Sequence, residues 1–389
     1  MKLRAKQRLD AGLGGTAIFI LKPLARLLGM LMRRDHDIQP RGDIVIVKML
    51  GGGSLVLAFP ALLGLKRRYP DRHLKLICTG ATRQFAELLG VFDEIISVED
   101  GGSVFRLVKS GLRAILAIFR CDTIIDLEVY SRLSTVFCLM SFARNRICFY
   151  LESAYWRKGL STHLFYFNRS GSAPKHYEQI ARALGAEIPS SEECREAFFA
   201  ANHLMRTTDA RGKALRLGLA CFCSDLALER MFSAHEWAEL AARHLKGQKV
   251  SITLFGGPAD KEKGDEMAVA LSAALPEAEI ENACGRWSLR DCAAEIAKQD
   301  RFWSIDTGLL HIARQIGVPT TSYWGPTDPG TLLQDLPGVD EAVHYRKLPC
   351  SPCVHVSDTP PCGGTRPCMV AHLRDLTEAE RNPAWIEVY

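Results

Sequence analysis

Residues 44–54 read IVIVKMLGGGS, and this stretch decides the fold class. The run at 44–50 is apolar and rich in β-branched residues, which predicts a strand buried on both faces of a parallel sheet. Three glycines end the run, and Ser54 stands where a helix N-cap belongs, before apolar residues at helical spacing up to Arg68. The stretch therefore predicts the strand, loop and helix that begin a βαβ series.

The same alternation continues along most of the chain. Short β-rich runs and longer helical runs alternate up to about residue 142, weaken at 150–215, and resume up to Gly325. Strict alternation implies right-handed crossovers and doubly wound parallel sheets, and 389 residues favour two domains. We predict an α/β protein with two Rossmann-like domains, 42–205 and 206–345, facing each other across a cleft.

The segment at 1–41 is basic and apolar. Its apolar runs at 11–21 and 27–32 are separated by Lys22, Pro23 and Arg26. Neither run reaches the roughly 20 apolar residues of a membrane-spanning helix, and no convincing signal-peptide cleavage site follows. We predict an amphipathic segment lying on a membrane surface. A terminal helix packed on the protein is the main alternative, and a signal peptide or true span is less favoured.

Composition limits the partners and the compartment. The net charge of +5 is too small to argue for nucleic acid, but it is compatible with an anionic membrane surface or a phosphorylated substrate. Of 13 cysteines, nine are scattered through predicted strands and helices, as small buried hydrophobes in a reducing compartment are. We predict a cytoplasmic protein with no nucleic-acid partner.

The tail at 346–389 contains the other four cysteines: Cys350, Cys353, Cys362 and Cys368. The first two have the spacing of a metal knuckle, which suits structural zinc or iron, and His355 or His372 could replace one ligand. Free or redox-labile thiols in an ordered loop are equally favoured, and a disulfide is disfavoured. A catalytic metal is not expected, because no open set of carboxylates or histidines accompanies the cluster.

Residues 306–313 (DTGLLHIA) form the sharpest motif, between a predicted strand and a predicted helix. Thr307 and Gly308 open the helix, so unsatisfied N–H groups and the positive end of the dipole face whatever lies beyond the strand. His311 can add a donor, and Asp306 is placed to bind sugar hydroxyls. Open α/β sheets bind ligands at this edge. The motif predicts an anion site, and a capped helix with a buried histidine is the alternative.

The stretch at 305–329 (IDTGLLHIARQIGVPTTSYWGPTDP) closely resembles the nucleotide-sugar site of glycosyltransferase family 9, the lipopolysaccharide heptosyltransferases. Further segments follow the family's order at 44–70, 123–146, 176–185, 230–240 and 254–258. The resemblance implies the GT-B fold and inverting transfer that needs no metal cofactor. The donor would be a nucleoside-diphosphate sugar, ADP-linked by preference. Heptose or a related hexose would pass to a lipopolysaccharide or other surface glycan, at the cytoplasmic face of the membrane.

The resemblance also assigns the donor-binding residues. It places Thr307, Gly308 and His311 on the diphosphate and Asp306 on the donor sugar. Arg230 stands where the family usually has a lysine, and arginine keeps the charge and can bind phosphate bidentately. Weaker candidates near the phosphates or the nucleobase are Ser224, Gly285, Ser288 and Leu289.

The first domain departs from the family pattern. The family has leucine-glycine-aspartate before the first helix, and that aspartate is taken as the general base, whereas this chain has Gly52-Gly53-Ser54. Serine cannot act as a base at neutral pH unless another group takes its proton. Either another carboxylate serves, with Glu128 as first candidate and Asp126 as second, or the acceptor chemistry differs, or the protein is catalytically degenerate.

The acceptor-binding residues and the function have alternative interpretations. The candidate acceptor or loop residues are Gly52, Gly53, Arg132 and His176. On sequence alone, the favoured interpretation of Glu128 is an ordinary surface or strand-end carboxylate. A nucleotide-sugar-binding scaffold of surface-glycan assembly and a protein-glycosylating relative are the alternative functions. A GT-B epimerase is disfavoured, because the quoted segments match the transferases.

Overall fold

The computed structural model describes residues 10–101, 103–204, 214–223, 227–354 and 360–381. The chain divides into two compact units, Met1–Cys194 and Arg195–Tyr389. Each unit has a six-stranded sheet in which the paired strands are parallel. The prediction of two Rossmann-like α/β domains is confirmed. The predicted segment boundaries, and a cleft between the domains, stay predictions.

The first sheet has the strand order β3-β2-β1-β4-β5-β6. Its strands are β1 Ile44–Val47, β2 Leu74–Thr79, β3 Glu94–Val98, β4 Thr123–Asp126, β5 Asn145–Tyr150 and β6 His163–Tyr166. The helices of this part of the chain are α1 Gly15–Met32, α2 Gly52–Leu57, α3 Phe59–Arg68, α4 Gly80–Leu89, α5 Val104–Ala117, α6 Arg132–Met140, α7 Ala173–Ala183 and α8 Ser191–Asn202. All residues of β1 and β4 are buried, as expected of central parallel strands covered on both faces.

The second sheet has the order β12-β11-β10-β7-β8-β9. Its strands are β7 Leu215–Ala220, β8 Val250–Leu254, β9 Glu279–Asn282, β10 Arg301–Ile305, β11 Thr320–Trp324 and β12 Glu341–Tyr345. Its helices are α9 Ala234–Leu245, α10 Lys261–Ala274, α11 Leu289–Ile296, α12 Gly308–Ile316, α13 Pro329–Leu332, α14 Pro367–Val370 and α15 Glu378–Arg381. The tail packs into this unit, because Cys368, Met369 and Leu373 join the hydrophobic core around Trp237 and Tyr323.

Some elements differ from the sequence-based expectation. The helix expected at 55–68 is two helices, separated at Ala58, because Pro60 has no N–H to continue the helical hydrogen bonds. Strands β5, β6 and β12 were not predicted. Strand β5 begins with polar Asn145 and Arg146, whose side chains donate to backbone carbonyls of the surrounding loops, so hydrophobic pattern alone does not reveal it.

The two apolar runs near the N-terminus belong to one helix. A π-helical turn at Asp10–Gly14 leads directly into α1, which continues through Pro23. Within the described part of the chain, Asp10–Met32 is the one helix long and apolar enough to cross a membrane, judged by length and composition. We predicted that each apolar run was too short to span a membrane, but the sequence did not indicate that the two runs form one continuous helix.

Candidate functional site

Each sheet reverses its strand order between two neighbouring strands: β1 and β4 in the first, β10 and β7 in the second. Open α/β sheets bind ligands in the crevice at the carboxyl ends of such strands. The predicted residues collect at these two places. We call Arg230, Asp306 and His311, with the start of α12, the donor site. We call Lys48, Ser54, Glu128 and Tyr177, with the glycine loop, the loop site.

An ion pair organises the donor site. Asp306 follows the end of β10, and Arg230 ends a 3₁₀ turn at Leu228–Arg230. The Arg230 Nη1 atom donates to the Asp306 carbonyl at 2.8 Å and to its Oδ2 at 3.1 Å. Both side chains are largely buried, so this arginine carries a charge that water screens little, directly beyond the strand end. Such a guanidinium is suited to a phosphate oxygen.

His311 adds a buried, neutral imidazole to the donor site. Its Nε2 lies 3.8 Å from Asp306 Oδ1, and its Nδ1 has no hydrogen-bond partner among the described residues. Burial lowers the pKa of His311 to about 4; Asp306 opposes this shift, and Arg314 and Arg230 add to it. The imidazole is therefore neutral at pH 7 and offers one N–H donor. A buried ring nitrogen without a partner is costly, and a bound ligand could satisfy it.

The N-terminus of α12 completes the donor site. The helix begins at Gly308, and its N-cap Thr307 has an extended backbone with no capping bond from its side chain. The first N–H groups are thus not satisfied by a side-chain cap, and the helix dipole places partial positive charge there. The predicted donor residues Asp306, Thr307, Gly308, His311 and Arg230 come together. Ser224 lies outside the described residues.

The structure gives the predicted nucleobase residues roles in folding. Gly285 has φ of +74°, and a Cβ there would lie 2.7 Å from the Cα of Pro258, so only glycine suits this turn. The Ser288 side chain accepts from the Asp291 N–H and caps α11, and Leu289 is the first residue of that helix. Binding of a nucleobase by these three residues stays a prediction.

Glu128 holds the glycine loop at the first sheet's switch point. Its Oε1 accepts from the N–H groups of Met49 and Leu50 at 2.7 and 2.9 Å, and from Lys48 Nζ at 3.3 Å. Three donors on one oxygen fix the path of the chain as it leaves β1. The carboxylate is thus a loop anchor, and its second oxygen is the atom left for a role as base.

Asp126 has a structural role instead. Its Oδ2 accepts from Ser134 Oγ at 2.7 Å and from Arg157 Nη2 at 3.0 Å, and its Oδ1 from the Glu128 N–H at 3.0 Å. Both partners of the Asp126–Arg157 ion pair are fully buried. Burial raises the pKa of Asp126 to about 6, against the lowering effects of Arg157 and Ser134. A carboxylate enclosed in this way cannot reach an acceptor hydroxyl, so we do not propose it as the base.

Two residues of the loop site were missed by sequence reasoning. Lys48 is buried beside Glu128. Burial lowers the pKa of Lys48, but the carboxylates of Glu128 and Asp126 favour the charged lysine and leave its pKa raised. Tyr177, on α7, is buried, which raises the pKa of its hydroxyl, and the nearby Ser54 side chain partly opposes that rise. A lysine within the apolar run at 44–50 was the available signal for Lys48, whereas nothing local distinguished Tyr177.

The remaining loop candidates are held by packing. Gly51 has φ of +83°, and a Cβ on Gly52 would lie 2.1 Å from the Phe85 ring; Gly53 follows in α2. The Arg132 guanidinium stacks over Trp156 at 4.3 Å. His176 Nε2 lies 3.0 Å from the Asn168 carbonyl oxygen. Acceptor binding by Gly52, Gly53, Arg132 and His176 stays a prediction.

The cysteines of the tail do not form a metal site in the described residues. No group of three or more His, Cys, Asp or Glu side chains there is placed to hold an ion. Burial raises the pKa of Cys353 to about 11 and of Cys368 to about 12, so without a metal both are neutral thiols at pH 7. His372 Nε2 lies 3.0 Å from the Trp324 carbonyl oxygen, and His355 lies outside the described residues. Cys350, Cys353, Cys362 and Cys368 are all free thiols, and binding of a structural metal by them stays a prediction.

Comparison with known proteins finds a family whose sequence model matches mainly the second unit. The sequence model of glycosyltransferase family 9 (heptosyltransferase) matches residues 176–362. The lipopolysaccharide heptosyltransferase 1 of Pseudomonas aeruginosa is 33% identical over 121 residues, which cover 30% of this chain and 31% of that protein. The chain thus matches less than a third of this curated relative's length. The resemblance to family 9 is confirmed.

Solved structures extend the likeness in fold to both units. The Escherichia coli ADP-heptose lipopolysaccharide heptosyltransferase II has a TM-score of 0.57 and 18% identity, covering 82% of this chain and 95% of that one. The E. coli heptosyltransferase WaaC with ADP-2-deoxy-2-fluoro heptose has a TM-score of 0.57 and 16% identity, covering 85% and 97%. At these identities the likeness shows the fold alone, and the fold is that of the heptosyltransferases.

Proposed function

Since residues 176–362 of this chain match glycosyltransferase family 9, we propose that the protein transfers heptose or a related hexose from a nucleoside-diphosphate sugar to a lipopolysaccharide or other surface glycan. Transfer inverts the anomeric centre and requires no metal. The observation that carries the proposal is the donor site. There a buried arginine, a neutral histidine and an open helix N-terminus meet at the carboxyl end of β10.

The donor site is suited to bind the donor's diphosphate and to stabilise it as a leaving group. As the bond between the anomeric carbon and the diphosphate oxygen breaks, negative charge grows on the departing phosphate. Arg230, the His311 N–H and the first N–H groups of α12 are fixed in advance to stabilise that charge. Asp306 orients Arg230 and can accept from a donor-sugar hydroxyl. The acceptor oxygen attacks the opposite face of the sugar and gives its proton to a base.

Nucleotide binding is the direct test of the donor site. We expect ADP to raise the melting temperature of the purified full-length chain more than GDP, UDP or CDP. At 100 times its Kd a ligand that binds only the folded state stabilises by about 2.7 kcal/mol. A shift with measurable sugar transfer supports the enzyme, whereas a shift without transfer under any acceptor supports a nucleotide-sugar-binding scaffold. If folded protein shows no shift with any nucleotide, the proposed function fails.

The general base is tested at Glu128. Glutamine retains the oxygen that accepts from Met49 and Leu50 but cannot take a proton, so Glu128→Gln separates anchoring from catalysis. If Glu128 is the base, we expect kcat to fall by about 10²–10⁴ in protein that is still folded at the assay temperature. The melting temperature should fall as well, because buried Lys48 loses its charged partner. Ser54→Ala is the control, because removing a hydroxyl that is not the base should change kcat far less. Unchanged turnover in Glu128→Gln excludes this carboxylate.

Location at the inner face of the cytoplasmic membrane completes the proposal. A peripheral enzyme there would meet a lipid-linked acceptor. The N-terminal helix supports this location, because α1 has an apolar exposed surface and is followed by Arg33 and Arg34, a combination typical of helices that lie in a membrane interface.

A further inference from the structure

We propose that α1 and α5 form one lipid-binding surface of the first unit, and that an arginine-lined cavity where they end receives an anionic lipid headgroup. This inference extends the membrane location proposed for α1 to a second helix and to a defined headgroup site. It does not depend on sugar transfer, and it can fail while α1 alone still binds a membrane.

One face of the N-terminal helix packs on the protein. The contacts recur every fourth residue, at positions 10, 14, 18, 22 and 26. Asp10 accepts from Ser131 Oγ and from two backbone N–H groups at the start of α6. Gly14 lies against Arg132, where a Cβ would come within 2.6 Å, and Ile18 is buried.

The second half of the helix continues along the same face. Lys22 Nζ donates to the Trp156 carbonyl at 3.4 Å. The Arg26 guanidinium lies so close to Gly159 that a Cβ there would be 3.1 Å from its Nε. A helix crossing the bilayer would have to give up these contacts. The packing therefore favours a helix that lies flat against its own domain, with its other side available to lipid.

The outward side of α1 is apolar. Nine large hydrophobic side chains between Leu13 and Met32 are exposed, with Phe19 82% exposed and Leu31 72% exposed. Soluble monomers rarely leave a contiguous apolar patch of this extent in water. This surface calls for an apolar partner.

Helix α5 has the same character. Its inner face packs on the core through Ala114 and Ile118, with Leu107 and Ile115 beside them. A second apolar stripe faces outward at helical spacing, made of Phe105, Val108, Leu112, Leu116 and Phe119. Phe105 is 74% exposed and Leu116 is 72% exposed. A surface helix needs only one apolar stripe to pack on its domain. The outer stripe of α5 contacts no core among the described residues, so packing within the domain does not explain why it is apolar.

The C-terminal ends of the two helices are linked through Phe142. Arg34, just after α1, donates to the Phe142 carbonyl at 2.9 Å, and the Phe142 ring contacts Phe119 at 5.5 Å between centroids. An open cavity of about 700 Å³ lies here, lined by Arg34 and by residues 117–120 among others. The exposed surfaces of α1 and α5 are thus joined through this cavity.

The charges on the two helices and in the cavity indicate which partner this surface binds. The segments 11–34 and 103–121 contain eight lysines and arginines and no acidic residue. In the cavity, three carboxylates are each paired with a cation: Asp35 with Arg41, Asp43 with Lys75, and Asp122 with Arg144. Arg34 and Arg120 form no ion pair with the described acidic residues. Exposed apolar rows flanked by unpaired cations match an anionic bilayer, whose surface potential attracts lysine and arginine side chains.

Vesicle sedimentation tests the second helix directly. The full chain is mixed with vesicles of phosphatidylcholine alone, or of phosphatidylcholine and phosphatidylglycerol in equal amounts. We expect strong binding to the anionic vesicles and weak binding to the neutral ones. The double variant Phe105→Ser, Leu116→Ser, with α1 intact, should bind anionic vesicles at least tenfold more weakly. Val269→Ser is the matched control, because Val269 is 72% exposed on α10 of the second unit.

A charge-reversal variant tests the headgroup site separately. Arg34→Glu with Arg120→Glu, both in the cavity lining, should abolish the preference for phosphatidylglycerol, whereas Lys263→Glu on α10 should leave it. Melting curves confirm that each variant is folded, and light scattering gives its oligomeric state. If this variant and the Phe105→Ser, Leu116→Ser variant are both folded and bind anionic vesicles like the unaltered chain, neither α5 nor the cavity binds lipid. If they instead turn a dimer into a monomer without weakening vesicle binding, the surface joins two copies and the proposal is overturned.

Discussion

Replacing Arg230 with methionine is expected to lower kcat/KM for the nucleotide-sugar by about 10²–10³, the usual loss when one fixed donor to a developing charge is removed. The Arg230 guanidinium is held by Asp306 at 2.8 and 3.1 Å and is largely shielded from water. Its charge therefore acts on a bound phosphate with little screening. Methionine fills similar space without the charge. Steady-state kinetics and nucleotide titration give the loss in turnover and in binding.

Two further substitutions test whether the lower kcat/KM comes from the charge and the donors of Arg230. Arg230→Lys keeps a positive charge but not the planar pair of donors, so it should recover part of the lost kcat/KM. Arg243→Met removes an exposed arginine from α9, paired with Glu239 at the surface, and should leave the kinetics unchanged. Melting temperatures show whether Arg230→Met is folded at the assay temperature. Wild-type kinetics in folded Arg230→Met would mean that the donor phosphates bind elsewhere.

Arg157→Met is expected to cost the first unit about 3–5 kcal/mol of folding free energy at pH 7, the usual cost of removing one partner of a buried ion pair. Arg157 and Asp126 are both fully buried. The same guanidinium donates to the carbonyl oxygens of Phe149, Glu128 and Ser131. Methionine would leave these acceptors and the carboxylate without their donor. Urea unfolding, with hydrogen exchange at β1 and β4 to follow this unit, measures the loss.

The loss should depend on pH in one direction. Burial already raises the pKa of Asp126 to about 6, above the value of about 3.9 for an unfolded aspartate. Without Arg157 the folded pKa rises further, so the variant loses stability as pH increases above about 4. Part of the loss should therefore be recovered at pH 5.

Two comparisons test whether the stability loss of Arg157→Met comes from breaking the buried ion pair with Asp126. Asp126→Leu combined with Arg157→Met removes both charges and should restore part of the stability. Arg243→Met breaks a surface pair and should cost no more than about 1 kcal/mol. A loss equally large at pH 5 and pH 7 would show that the Asp126 charge is not its cause.

Local pattern predicted most of the secondary structure. The apolar run after Asp43 became β1, the glycines ended it, and residues 307–308 opened α12 as expected. Pattern failed where polar residues begin a strand, as in β5, and where proline divides a helix between α2 and α3. It also failed at the N-terminus, where Lys22 and Pro23 divide the apolar sequence but do not interrupt the helix.

The candidate sites show a similar division. The donor-site residues were found because Asp306, Thr307, Gly308 and His311 are close in sequence, and helix geometry alone brings them together. Arg230 is 76 residues from Asp306 and was found through family resemblance. Tyr177 and Arg157 had no local signal, because their partners Ser54 and Asp126 lie far away in the chain.

The sequence by itself determined the α/β class, the two series of strands and helices, and the helix that begins directly after β10. These follow from periodicity, glycine and proline, whose effects act over a few residues. Only the tertiary structure decided that Glu128 anchors the glycine loop, that Asp126 is enclosed by Arg157, and that α5 turns a second apolar stripe outward. Parallel strands join distant parts of the chain, so the partner of a buried charge, and the side of a helix left uncovered, depend on strand order rather than on local sequence.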